Sequence, residues 1–297
     1  MSVLRLTDLH PRRFFLDTWR GIDDEVTAFR ASHGGKSDAS TAAYVFIVAA
    51  VCLIFSDINY LGGQGAFVSL TLFFDDPATP ANHPMLWAAF GWMKPHTPFY
   101  LSPRYELLQL GYWTAIKLIA YLLIPSVAIA LHPRLSFSDV GLRTQGLLSH
   151  LVVYAVLFVP VLLAVILVSF TESFSSYYPF YTQSMRSPFD FWMWEMMYAS
   201  QFFALEFFFR GFMLQPTRRS MGSTAIVAMM VPYVMIHFGK PIEECFAAVI
   251  AGTVLGTLAL KTRSIWAGFF LHVSVALSMD IVSNLQKGGI SWLKSIF

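Results

Sequence analysis

Long apolar runs separated by short polar connections fill most of the chain after residue 40. A bilayer core about 30 Å thick takes roughly 20 apolar residues per helix. By that measure the pattern predicts seven spans, at 41–57, 110–131, 147–170, 191–213, 221–238, 243–260 and 264–285. Two are weaker: 221–238 opens on small polar residues, and 243–260 follows Glu243 and Glu244 closely. Pro84–Trp92 (PMLWAAFGW) is too short to cross and reads as a re-entrant or interfacial segment. The expected fold is all-α, a polytopic transmembrane helical bundle of about seven to eight spans. No internal repeat or low-complexity tract interrupts it.

Charge sharpens this picture. The 297 residues are 56% hydrophobic and 13% charged, against about 25% charged in a soluble domain. Twelve of the 38 charged side chains lie in residues 1–40, so the other 257 residues hold 26. That density excludes an ordinary cytosolic enzyme, and a net charge of +2 excludes a nucleic-acid binder with a basic stripe. Cys52 and Cys245 lie in apolar runs and give no disulfide framework. The first forty residues contain no apolar core of a signal peptide. Instead, Asp8–Arg30 alternates apolar and charged positions at helical spacing, which suits an amphipathic helix on the membrane surface or a solvated one. The loop 58–109, rich in glycine, proline and aromatics, reads as a structured cap. Lys and Arg number twelve on the N-terminal side, Lys36 among them, and six on the other, Lys294 among them. The positive-inside rule therefore puts the N-terminus in the cytoplasm.

Ionisable groups within a span cost at least about 2.5–3.5 kcal/mol each on insertion scales, so each is a candidate functional residue. These are Lys117, Glu195, Glu206, Arg210, His237, His272 and Asp280. Lys117 reads as a structural residue that snorkels or pairs. Glu206 and Arg210 are four apart in FFALEFFFRGF and face the same way on a helix; taken alone they read as a buried ion pair. His237 follows Tyr233 by four residues, and His272, Ala276 and Asp280 share one face of the last span. A carboxylate and an imidazole in a membrane cavity can activate water and protonate a leaving amine, and a second imidazole or an amide can stabilise an oxyanion. Neither H-E-x-x-H nor G-x-S-x-G occurs. Zinc held by Glu206, His237 and His272 is a minority reading, because no two of them lie within one helical turn. No metal or cofactor is expected.

The order EFFFRG, Y-x-x-x-H-F-G and L-x-L-K-T-R-S-I-W-A-G-F-F-L-H, with FSDVGLR upstream, resembles the CAAX protease and bacteriocin-processing family. Those glutamate intramembrane proteases include the type II CAAX prenyl endopeptidases. The resemblance covers roughly 135–285 and divides the chain into a cytoplasmic amphipathic segment (1–40), the first two spans with their loop (41–134), a protease-like core (135–285) and a tail (286–297). It implies that Glu206 activates water with help from a histidine, that Arg210 supports it, and that His272 belongs to the oxyanion hole. Glu206, His237 and His272 are the expected catalytic residues, with Arg210, Tyr233 and Asp280 supporting. The implied partner is a membrane-anchored or lipidated protein, and the implied location a bacterial inner membrane. Three positions depart from the family pattern. Leu205 stands where it has its first glutamate, Tyr233 where it usually has Phe, and Ala276 where it has Asn. Either Glu206 serves for both acids, or Glu195 or Glu243 contributes, or the protein is a catalytically silent scaffold or immunity factor. A C-terminal sorting transpeptidase and a proton-coupled transporter complete the alternatives, the last disfavoured by the lack of repeated halves. At ~1.5 Å per residue, the predicted boundaries also put Glu206 and His237 more than about 10 Å apart in depth.

Overall fold

The computed structural model describes residues 4–32 and 38–288. Lys36, Lys294 and the tail from 289 lie outside the described residues. Among those described there is no strand, only one isolated bridge between Leu142 and Ser264. The helices are α1 (Thr18–Ser32), α2 (Ala39–Ser56), α3 (Gln64–Asp75), α4 (Pro84–Phe90), α5 (Tyr105–Leu131), α6 (Leu151–Val168), α7 (Glu172–Tyr177) and α8 (Pro188–Glu206), followed by α9 (Gln215–Met221), α10 (Thr224–Met235), α11 (Ile242–Thr262) and α12 (Trp266–Gln286).

Five of these, α2, α5, α6, α11 and α12, are long and apolar enough to cross a membrane, and they coincide with five of the seven predicted spans. The chain is a multi-pass, all-helical membrane protein. On α6 the apolar side chains of Val152, Val156, Val159, Leu163 and Leu167 point outward, as lipid-facing residues should.

The remaining two predicted spans take a different form. The fourth lies inside one unbroken rod: α8 runs into a π-helical stretch, Phe207–Leu214, and then into α9. The polar sequence QPTRRS after Leu214 looks like a loop but stays helical. The Thr217 hydroxyl donates to the Met213 carbonyl at 2.6 Å, Arg218 donates to the Gln215 carbonyl at 2.5 Å, and the buried Gln215 amide donates to the Ala259 carbonyl at 2.9 Å. The fifth predicted span is the 12-residue α10, too short to cross on its own. The rod is the centre of the bundle. Phe207, Phe208, Phe209, Phe212, Met213 and Leu214 are all buried. Gly211 lets the FSDVGLR segment approach, since a side chain there would meet the Val140 carbonyl.

The loop 58–109 is a structured cap, as expected. Phe67 packs on Tyr105 and Tyr112, and Phe74 on Phe99, which ties α3 to the start of α5. Lys117 donates to the Ser56 carbonyl at 2.9 Å and lies over the Tyr121 ring, a structural role.

One face of the N-terminal segment packs on the rest of the protein. On α1, Ile22 and Val26 are buried, Trp19 donates its indole N–H to Thr257 at 2.9 Å, and Arg30 bonds the Ser220 carbonyl at 2.7 Å. The Asp23 carboxylate accepts the Ser223 backbone N–H at 2.7 Å and its hydroxyl at 3.0 Å, satisfying donors at the start of α10. Arg263 pairs with Glu25, and Lys261 with Asp8 at 3.8 Å. The helix thus caps the turns that join α9 to α10 and α11 to α12. Asp23→Ala is expected to destabilise the protein by about 1–2 kcal/mol and to expose α1 to protease. Limited proteolysis with a thermal melt in detergent checks this; unchanged cleavage would show that the cap does not hold the helix.

Candidate active site

The site forms where the central rod changes pitch. Glu206 is the last residue of α8, and the π-helical stretch begins at Phe207. Such widened turns recur at functional sites, because the i→i+5 ladder re-aims side chains that an α-helix would space evenly. The Glu206 carboxylate and the Arg210 guanidinium are both fully buried, with Oε1 and Nη1 3.1 Å apart. The same Oε1 lies 2.8 Å from His272 Nδ1. These are close charge pairs rather than aligned hydrogen bonds. The other ring nitrogen, Nε2, is 2.9 Å from the Tyr233 hydroxyl, and which of the two donates follows from the tautomer of the ring. The Arg210 guanidinium sits over the Tyr233 ring, 4.1 Å from its centre, a cation–π contact that adds to the ion pair in a dry setting.

His237 joins through Tyr233. Its Nδ1 is 2.8 Å from the Tyr233 carbonyl, which can only accept, so Nδ1 is protonated and the basic Nε2 is left for other partners. The two rings meet edge-on at 4.8 Å. The Cys245 thiol donates to the His237 carbonyl at 3.2 Å, which holds the turn after α10 in place. The last ring in the cluster is Phe202, stacked on His272 at 5.3 Å.

One glycine makes the cluster possible. Gly268, one helical turn before His272, lies directly against Glu206, and a β-carbon there would occupy the space of Oε2. Among the described residues no side chain or backbone group hydrogen-bonds that oxygen. The same holds for Oε1, which stands at ion-pair distance from Arg210 and His272 without an aligned hydrogen bond to either. The site is not sealed, since the His272 side chain is 15% exposed while Glu206 and Arg210 are at 0%.

Five of the six expected site residues come together: Glu206, Arg210, Tyr233, His237 and His272. Asp280 does not. It lies two turns along α12, where the Trp194 indole donates to it at 2.7 Å and the Glu195 carboxyl lies against it. Sharing a face of a helix put it in line with His272, but two turns are ~11 Å of rise. Glu195 is thereby kept from the site, and Glu243 sits exposed beside the Ser173 hydroxyl. Leu205 packs against the apolar core. Ala276 packs with Trp194 and Tyr198. Among the described residues no three of His, Cys, Asp and Glu gather as a metal's ligands would.

The depth mismatch in the sequence reading disappears because the rod continues past 213. Measured from the turn at 222–223, Glu206 is 15 residues back from Met221 and His237 is 13 on from Thr224. At ~1.5 Å per residue those are about 22 and 20 Å, so the two stand at one level. Gly268 was the residue missed; its signal was a glycine four positions before His272 on the same helical face.

Comparison with known proteins agrees with this placement. No curated protein and no solved structure matches the chain. One family profile, described as type II CAAX prenyl endopeptidase Rce1-like, matches residues 187–278, about a third of the chain. Every residue of the Glu206 cluster lies inside that stretch, and over it the chain is similar to the Rce1-like type II CAAX prenyl endopeptidases.

Proposed function

We propose that the protein is an intramembrane endopeptidase that cleaves a membrane-anchored or lipidated protein near its terminus, using water activated by Glu206. The observation that carries this reading is a fully buried carboxylate beside two basic groups: Glu206 Oε1 stands 3.1 Å from Arg210 Nη1 and 2.8 Å from His272 Nδ1, and Gly268 leaves room beside Oε2. Arg210, 3.1 Å from Oε1, would stand beside the carboxylate as it acts as a base. A water on Oε2 would lose its proton to the carboxylate as its oxygen attacks the scissile carbonyl. The proton then passes to the leaving amine, with His237 Nε2 as the second proton-handling group. No metal ion is required by this route. The N-terminal helix α1 and the turns it caps would face the cytoplasm.

The substitutions that separate this chain from the family pattern find a role in the same reading. The Tyr233 hydroxyl, absent from the usual Phe, stands beside His272. Turned from His272 toward the substrate, its O–H would supply the oxyanion donor that Ala276 does not. His272, 2.8 Å from Glu206 and 2.9 Å from the Tyr233 hydroxyl, would position both.

The test is cleavage of a prenylated peptide with a CAAX terminus by the full-length protein in detergent or vesicles. Glu206→Gln is expected to lower the rate by at least about 10³-fold with folding retained; full activity in that variant would overturn the assignment. Tyr233→Phe is expected to reduce kcat about 10²-fold with KM little changed, the size of losing one oxyanion donor. If it instead matches the native rate, the hydroxyl has no part in the reaction. Gly268→Ala should displace the carboxylate and lower kcat by about 10²-fold, a misplacement effect, while the thermal melt stays near native. A fully active Gly268→Ala protein would mean that Glu206 does not need its present position. Failure of the native protein on all lipidated and anchored substrates would favour a silent scaffold.

A further inference from the structure

At the end of the bundle capped by α1, four arginines crowd together: Arg143, Arg218, Arg219 and Arg263. Arg143, Arg218 and Arg263 line one cavity of about 150 Å³, with Asp139 and Gln215 also on its wall. That is well above the ~10–15 Å³ that a single water needs, and a tetrahedral oxyanion fits.

The charges do not balance within the protein. Asp139 is taken by Arg219 at 2.8 Å, and Glu25 by Arg263. Asp23, the other nearby carboxylate, is engaged by Ser223. Arg218 uses Nη1 on the Gln215 carbonyl and side chain. Nη1 of Arg263 is buried with no hydrogen-bond partner, and Arg143 makes no ion pair among the described residues. Burial first, and then the neighbouring Arg263 and Arg219, push Arg218 down to about 10, so it is still charged at neutral pH. Guanidinium groups gathered in this way repel one another unless an anion joins them.

The frame that holds them is built rather than incidental. Arg263 ends α11 in the left-handed region, with φ 53°, a conformation that non-glycine residues seldom adopt. The bridge from Leu142 to Ser264, the Ile265 N–H donating to the Gly141 carbonyl at 2.9 Å, and the Ser264 hydroxyl donating to the Arg143 carbonyl at 2.8 Å then lock the two arginine-bearing segments together. Planar guanidinium forks in fixed positions match the oxygens of a phosphate. Basic pockets between transmembrane helices at the membrane surface suit acidic lipid headgroups for the same reason.

We propose that this cavity is a binding site for a phosphate oxyanion, carried either by the headgroup of an anionic phospholipid or by free phosphate. The site does not depend on the reaction at Glu206. The full-length protein in neutral detergent is titrated, at constant ionic strength, with inorganic phosphate, short-chain phosphatidylglycerol and short-chain phosphatidylcholine, reading the thermal unfolding midpoint. A rise with phosphatidylglycerol alone identifies the lipid headgroup; a rise with inorganic phosphate identifies the free ion. In either case Arg143→Gln should weaken the apparent affinity about fivefold and Arg143→Lys less, with a larger loss in the Arg143→Gln/Arg263→Gln pair. Arg143 is exposed and unpaired, so its single variants read the site even if the double variant does not fold. No rise with either anion, a rise equalled by phosphatidylcholine, or affinity unchanged in Arg143→Gln would overturn the proposal.

Discussion

A carboxylate and a guanidinium, both removed from water at the middle of a helical bundle, set the terms for the rest of this structure. Two such charges are tolerable only as a well-made pair with further partners, because the desolvation of each costs several kcal/mol. Glu206 and Arg210 stand 3.1 Å apart, with His272 on α12 beside the carboxylate and the Tyr233 ring on α10 against the guanidinium. Three helices are therefore fixed relative to one another by one polar cluster. The apolar packing of Phe207, Phe208, Phe209 and Phe212 around the rod keeps that cluster dry. What stabilises the bundle and what could perform chemistry are here the same few atoms.

The geometry also gives the departures from the family pattern a common explanation. With Leu205 in the core, Glu206 is the one carboxylate on Arg210 and His272 among the described residues. One acid must then be both held and free. Its Oε1 faces the two basic groups, and Gly268 makes room beside Oε2. Tyr233 adds a hydroxyl beside His272.

Much of this was legible in the sequence, for identifiable reasons. The shortage of charge exposed the membrane class, and the four-residue spacing of Glu206 and Arg210 carried their contact. His272 stood out because an imidazole in an apolar span needs a partner. The rest depended on information that a one-dimensional pattern does not hold. QPTRRS reads as a loop because polar residues usually leave the helix, yet here Gln215 and Thr217 bond within the protein. Asp280 shares a helical face with His272, but a face is a line and a site is a point; Trp194, 86 residues away, holds it. The apolar spacing of Ile22 and Val26 showed a face to bury, while the turn that covers it is 200 residues further on.

The central claim is that Glu206 and Arg210 form one charged, mutually dependent pair. A double-mutant cycle on Glu206→Gln and Arg210→Met, read by reversible unfolding of the detergent-solubilised protein, measures it directly. The account predicts that each single variant loses about 3–5 kcal/mol, because a lone buried charge is left behind, and that the double variant loses far less than their sum. Strictly additive losses would contradict it.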